Sequence, residues 1–506
     1  MRLILSWPLS IILMVLGCSG ERHPEVAVIV NELSPVSEAI GQAYADSRGI
    51  PKANLFRLRI PVNDPLLADG QHETISRAKF EELVQQPLMA WLTERGESIE
   101  ILVTTKGLPL TIDGSEWPAN EFLQKSTQAS VDAELALIGS DQIGSPGIAS
   151  SANPWFGDPR DFRRFRQEVP GSPLRYLVAR LTGYPDENPG PGVPQDVARL
   201  MKAARQTPQP DATWLVDQDP ELPPMMEAAN DQLLAPAAAL LASMGFQVHH
   251  DNEPTFVSDI EWIQGYASWG SNDGHEAHPQ TYGRIEGHLY PGRFAPRALA
   301  VDLVSTNARS FSRPKSYGQS LIGDLIAGGV GGIAGHIAEP SLPAVVRPHR
   351  MLRDYALGES AIHAYYRALP YLGWMNVYIG DPLMTLDLVP PVRQPNDQDG
   401  DGIPDTLDNC LEIPNPEQRD TDTDSIGNRC DPDLNNDGRV TTSWGASFPS
   451  LRRGDIESIA LIQSRGEYSE DHDLDGNGVV DERDLSIAQL YLFLPPGPGR
   501  AGEVAR

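Results

Sequence analysis

Val26-Ala27-Val28-Ile29-Val30 is an unbroken apolar run, and beyond Asn31 and the pair Ser34-Pro35 the spacing from Val36 to Asp46 turns helical. A strand with no polar face needs cover on both sides. The same unit recurs. Leu55 to Ile60 and Ile99 to Thr104 read as strands, with a helical Ile75 to Leu92 between them. Ala212 to Val216 is a strand ahead of a long alanine-rich helix, Met225 to Met244. Ile263 to Ala267, Leu299 to Val304 and Gly332 to Ile337 are further short apolar runs. This alternation predicts an α/β domain over residues 25–388, with a mainly parallel sheet and helices on both faces. Functional residues are then expected beyond the carboxyl ends of the strands. Pro185 to Pro194 and Pro208 to Pro210 read as loops, and the Pro-rich 389–396 as a stiff linker leaving the domain.

With 506 residues the chain exceeds a single core. Its net charge of -29 argues against nucleic acid, whose phosphates call for Lys and Arg. About half of that charge lies after residue 394, where 24 acids face nine arginines. The acids are ordered. The first rung is Asp397-x-Asp399-x-Asp401-Gly402-Ile403-x-Asp405-x-x-Asp408. The second is Asp420-x-Asp422-x-Asp424-Ser425-Ile426-x-Asn428-x-x-Asp431, and the last is Asp473-x-Asp475-x-Asn477-Gly478-Val479-x-Asp481-x-x-Asp484. Ca²⁺ takes six to eight hard oxygens, and alternate residues of a tight loop supply them. Positions 1, 3 and 5 offer side-chain oxygens and position 7 its carbonyl (Ile403, Ile426, Val479). A distal acid closes the shell, and glycine at position 6 allows the turn. The second rung departs by carrying Ser425 there. A further loop, Asp433-x-Asn435-x-Asp437-Gly438, has Trp444 at position 12, so it is expected to stay weak or empty unless Asp455 folds back to close it. Without calcium the crowded carboxylates repel, and the segment, with too few large apolar residues for a core of its own, is expected to be an arm that the ion stiffens.

Residues 397–431 resemble a thrombospondin type 3 repeat: Asp-Gly-Asp-Gly-Ile-Pro-Asp, Asp-Asn-Cys, then Pro-Asn-Pro-x-Gln-x-Asp-x-Asp. The resemblance implies several calcium ions and a disulfide in a nearly core-less chain. Cys410 and Cys430 bracket the second rung; a bridge between them would close about twenty residues, worth roughly 3 kcal/mol, and would require an oxidising compartment. Two free thiols are the alternative. Residues 432–495 resemble a dockerin or EF-hand-like module, with Leu485-Ser486-Ile487-Ala488 after the last rung. That implies a cohesin-like or other envelope protein as partner. Residues 496–506 form a tail.

At the other end, Arg2 precedes the mostly apolar Leu3 to Leu16, too short to span a bilayer. Val15-Leu16-Gly17-Cys18-Ser19 resembles a bacterial lipobox. It implies a signal peptide over 1–17, lipidation of Cys18, a tether over 18–24 and a membrane-anchored exported protein of the outer membrane or cell surface, with adhesion or scaffolding as the role. An ordinary secretory signal is the alternative.

Several phrases of the α/β domain resemble a family of exported bacterial proteins found with exosortase systems. Among them are Thr105-Lys106-Gly107-Leu108-Pro109, Ala129-Ser130-Val131-Asp132-Ala133-Glu134-Leu135, Trp269-Gly270-Ser271-Asn272-Asp273 and Gly380-Asp381-Pro382-Leu383. More distantly, the second half resembles gingipain-type peptidases of the caspase-like fold, in which one strand ends at a catalytic His and the next at a nucleophilic Cys. Here those positions hold Trp269 and Ser305. Tryptophan accepts no proton, and the domain has no cysteine. A non-catalytic caspase-like domain is therefore expected, with Trp269 either an exposed aromatic platform or packed under a loop. The competing reading is an envelope hydrolase using Ser305, His275 and Asp273. A metal site from His275, His278 and His288 lacks ligand spacing.

Overall fold

The computed structural model describes residues 22–61, 73–114, 128–144, 152–222, 224–270, 282–285, 287–315, 319–340, 342–442 and 454–499. Cys18, Asp273, His275, His278 and Trp444 lie outside the described residues.

Ten strands make one sheet. They are β1 Val26–Asn31, β2 Leu55–Leu58, β3 Ile101–Thr105, β4 Leu177–Leu181 and β5 Thr213–Asp217. The others are β6 Val248–Asp251, β7 Ile260–Ser268, β8 Gly292–Asp302, β9 Gly332–His336 and β10 Asn376–Gly380. Their order is β2-β1-β3-β4-β10-β9-β8-β7-β5-β6. Pairing is parallel through β2-β1-β3-β4 and through β9-β8-β7-β5-β6. β10 runs antiparallel to β9, from Gly332 opposite Gly380 to His336 opposite Asn376, and meets β4 at the single bridge Ile379–Arg180. The expected mainly parallel sheet is thus present. All residues of β1, β3, β4, β9 and β10 are buried, as a sheet covered on both faces requires.

The helices named below are α1 Pro35–Ser47, α2 Val131–Ala136, α3 Gln195–Ala203, α4 Pro224–Ala229, α5 Ala235–Ser243, α6 Ile322–Gly328, α7 Pro348–Ala356, α8 Ala361–Ala368, α9 Asp455–Arg465 and α10 Glu482–Leu490. Local chemistry starts α1: the Ser34 hydroxyl accepts from the Ser37 amide at 3.3 Å, and Pro35 opens the first turn. Val36, Ile40 and Tyr44, four residues apart, are buried. Gly41 lets α1 lie close on β1, because a Cβ there would meet Val30 Cγ1 at 2.2 Å. The expected helix from Ile75 begins as a short strand, Thr74–Ser76, that pairs with Thr111–Asp113; the helix starts at Arg77 once Ser76 caps it. Residues 224–243 are helical as expected, with a π turn over Asn230–Leu234.

Two buried polar spots are braces. Arg180 and Asp132 form a buried ion pair, 2.7 Å, and the Arg180 guanidinium also donates to the carbonyls of Leu108 and Pro109. Asp381, of the Gly-Asp-Pro turn, accepts from Tyr44 at 2.7 Å and pairs with Arg48.

The acidic C-terminal segment does not project. Val392 N donates to Met244 O and Ser243 Oγ to Gln398 O, so the linker follows the end of α5. Ile459, Leu474, Val480, Ile487, Leu490 and Leu494 belong to the same apolar cluster as the sheet. The segment builds no large core of its own, as expected, but it is not a free arm: it buries its few large apolar residues in the same cluster as the sheet.

Candidate functional site

Three carboxylate groups stand close enough to share a cation, each with ligand atoms within 4.8 Å of one another: Asp397/Asp399/Asp401, Asp420/Asp422/Asp424 and Asp473/Asp475/Asp484. The turns bring them together. In the first, Asp397 accepts from Gly400 N at 2.9 Å and Gly402 N at 3.0 Å, Asp399 from Asp401 N, and Asp401 from Ile403 N at 2.7 Å. Asp420 accepts likewise from Ser425 N, and Asp473 from Gly478 N. These carboxylates thus cap the backbone amides of their own turns.

Gly402 and Gly478 have φ of 95° and 87°, in the left-handed region open to glycine. Ser425 adopts the same φ, 81°, without being glycine. The serine departure thus leaves the turn intact at a conformational cost.

The inward oxygens carry the chemical signature. Asp399 Oδ2, Asp408 Oδ2, Asp420 Oδ1 and Asp473 Oδ1 are buried without a hydrogen-bond partner. A buried, unsatisfied carboxylate oxygen is costly unless a cation meets it. Burial, then the neighbouring Asp408 and Asp401, pushes Asp399 up to about 8. Burial, then Asp424, pushes Asp431 up to about 8, and burial leads in raising Asp484 to about 6. Carboxylates crowded in this way favour a divalent ion.

Other acids of the ladder serve the backbone. Asp405 accepts from Gln398 N, and Asp481 caps α10 in a capping box with Asp484; the Asn428 amide oxygen likewise accepts from Thr421 N. The Asp433 loop repeats the turn, with Asp433 accepting from Asp437 N and Gly438 N. Asp455, at the start of α9, does fold back. It accepts from Asn435 Nδ2 at 2.9 Å and Thr441 N at 2.7 Å, the place Asp484 takes in the last loop. Among the described residues no three-acid cluster forms around Asp437. Cys410 and Cys430 are bridged, and with Ile413 and Ile426 they form the one small apolar cluster of the repeat.

At the carboxyl ends of the sheet, Ser305 Oγ accepts from Gln319 Nε2 at 2.8 Å and is 8% exposed. Trp269 is only 2% exposed and belongs to the apolar core, which removes the exposed platform. His288 is paired with Asp259 at the surface.

The sequence reading missed the neighbouring cluster. Asp217, Ser268 and Asp302 end three adjacent strands in register. Ser268 Oγ is 3.4 Å from Asp217 Oδ2, and Tyr282 OH donates to Asp302 at 3.2 Å. Burial, then Asp251, pushes Asp217 up to about 8, and burial pushes Asp302 up to about 7. The signal was available: a lone polar residue closes each of these apolar runs. All three are buried, and the cluster ties strand ends together.

A third feature is a cleft of about 940 Å³ between α7 and the acidic segment, with Arg347, His349, Arg350, Glu412 and Tyr491 on its walls.

Comparison with known proteins bears on the acidic segment. Residues 395–418 match the thrombospondin type 3 repeat family. No curated protein and no solved structure matched the chain. No helix among the described residues is long and apolar enough to cross a membrane.

Proposed function

We propose that this chain is an exported, calcium-binding envelope protein, anchored through lipid on Cys18, whose α/β domain serves as a non-catalytic binding or scaffolding body. The reading rests above all on the four buried carboxylate oxygens of Asp399, Asp408, Asp420 and Asp473 that no protein group satisfies. The thrombospondin type 3 match over 395–418 supports calcium as the ion, since that repeat is a calcium-binding unit of extracellular proteins. Asp397, Asp399, Asp401 and Asp408 would hold one ion, Asp420, Asp422, Asp424 and Asp431 a second, and Asp473, Asp475, Asn477 and Asp484 a third. Bound calcium would neutralise the crowded charge of each turn. The non-catalytic reading is supported by Trp269, which offers no proton-accepting group at its strand end.

Calorimetry on the full chain tests this. Calcium should bind at three sites, at about 10⁻⁴–10⁻³ M, as extracellular modules do. Asp473→Ala should remove one site and leave two. Absence of calcium heat at millimolar concentration would sink the reading. Labelling of Ser305 by a serine-directed covalent probe, lost in His275→Ala, would replace the scaffold by a hydrolase.

A further inference from the structure

We infer that the last calcium loop is a latch that fastens the acidic module to the α/β domain of its own chain, so that calcium controls whether the two stay docked. This rests on calcium binding as proposed above.

The latch is built around Asp475. Arg483, the second residue of α10, sets its Nε 3.1 Å from Asp475 Oδ2 and pairs through its Nη atoms with Asp231 and Glu227 of the α4 region. Arg429, from the thrombospondin-like repeat, donates to Asp475 O at 2.8 Å and also faces Asp231, at 3.8 Å. Two guanidinium groups from different parts of the module thus grip the same loop residue and the same α/β-domain acid. Arg419 ties the repeat to the loop through Asp473.

Below these charges α10 buries Ile487, Ala488 and Leu490 and lies against α4. Arg347 donates to Leu490 O, and Tyr371 to Leu492 O. A dockerin-like helix would be expected to offer its face to another protein; here that face is covered by α4. On the other side of the module, Glu412 is buried between Arg350, at 2.9 Å, and Arg353.

The coupling is electrostatic. With the ion in place, Asp473, Asp475 and Asp484 are drawn together and the first turn of α10 is held, which aims Arg483 at Asp231. Without it the same three carboxylates repel, and the turn carrying Arg483 loosens. The α/β domain has no such dependence, because its core is apolar.

Amide hydrogen exchange on the full-length chain decides the matter, with calcium and with EGTA. Residues 224–234 and 347–353 of the α/β domain should exchange about tenfold faster in EGTA, the factor expected when one linked site goes from tenfold saturation to empty. β3 and β4 should not change. Arg483→Gln should speed exchange at 224–234 even with calcium while keeping three calcium sites. If 397–431 gains protection on adding calcium but 224–234 does not respond, the latch is wrong and calcium binding stands. A response of 224–234 that extends equally to β3 and β4 reports general unfolding and overturns the latch. Wild-type exchange at 224–234 in Arg483→Gln overturns it as well. No response anywhere overturns both.

Discussion

The α/β domain and the acidic module solve the same folding problem with opposite materials. In the domain, β1 buries every one of its residues, and α1 covers it with Val36, Ile40 and Tyr44. At about 25 cal/mol per Å², such side chains contribute roughly 1.5–3 kcal/mol each when fully buried. In the repeat, the local apolar cluster is Cys410, Ile413 and Cys430 with Ile426 against it. Order there comes from carboxylates turned onto backbone amides, from the disulfide and from contact with the larger domain. Polar groups consequently mean different things in the two regions. In the sheet Arg180 and Asp132 brace each other; in the acid turns Asp399, Asp408, Asp420 and Asp473 each keep an open, buried oxygen.

The strongest test of that contrast is in the domain. Asp132→Ala strands the buried Arg180 guanidinium. Removing one partner of such a pair costs about 3–5 kcal/mol, so urea denaturation should show a loss of that size. The module should keep its calcium affinity. An effect under 1 kcal/mol would show that the sheet tolerates charge as the module does.

Replacing both cysteines by serine should cost the module roughly 3 kcal/mol, by loss of a twenty-residue loop closure. Proteolysis between Asp397 and Asp431 should accelerate while the α/β domain stays resistant. Equal sensitivity of both regions would erase the distinction.

Acid separates the regions next. Burial alone would raise the Glu412 carboxyl, but Arg350 and Arg353 beside it hold it down at about 2. Its folded value lies below its ordinary one. The stability it adds is therefore complete above about pH 4.5 and lost as pH falls toward 2. Docking of the module, followed by exchange at 347–353, should weaken over that interval, and Glu412→Gln should abolish the pH dependence of this contact.

The smallest effect is local. Ser425→Gly removes a side chain from a left-handed turn and should stabilise the calcium-loaded module by about 1 kcal/mol. A loss would mean that the serine side chain contributes to the turn.

The apolar runs made most strands legible, because a strand buried on both faces has a composition that few other structures need. β10 was not legible. Asn376-Val377-Tyr378-Ile379-Gly380 looks like its neighbours, and its antiparallel direction depends on how α8 returns the chain. The cluster at Asp217, Ser268 and Asp302 went unread for a related reason: 85 residues separate the first from the last, and only the register of β5, β7 and β8 sets them side by side. Trp269 was open to two readings, and packing chose the buried one. The acidic loops were nearly complete in the sequence, since their candidate ligands lie within a dozen residues of one another. Asp455 was the exception. Its return to Asn435 crosses the segment 443–453, and spacing rules fail across an insertion.

Sequence alone determined the apolar strands and the acid turns, because each depends on residue type and short-range spacing; the bridge between Cys410 and Cys430 was one of two readings until the fold brought the sulfurs together. The tertiary structure decided that the acidic module lies on the α/β domain and that Arg483, Arg429 and Glu412 hold it there. Those contacts join residues far apart in the chain, which only a fold that buries Ile487 and Leu490 in the same apolar cluster as the sheet sets side by side.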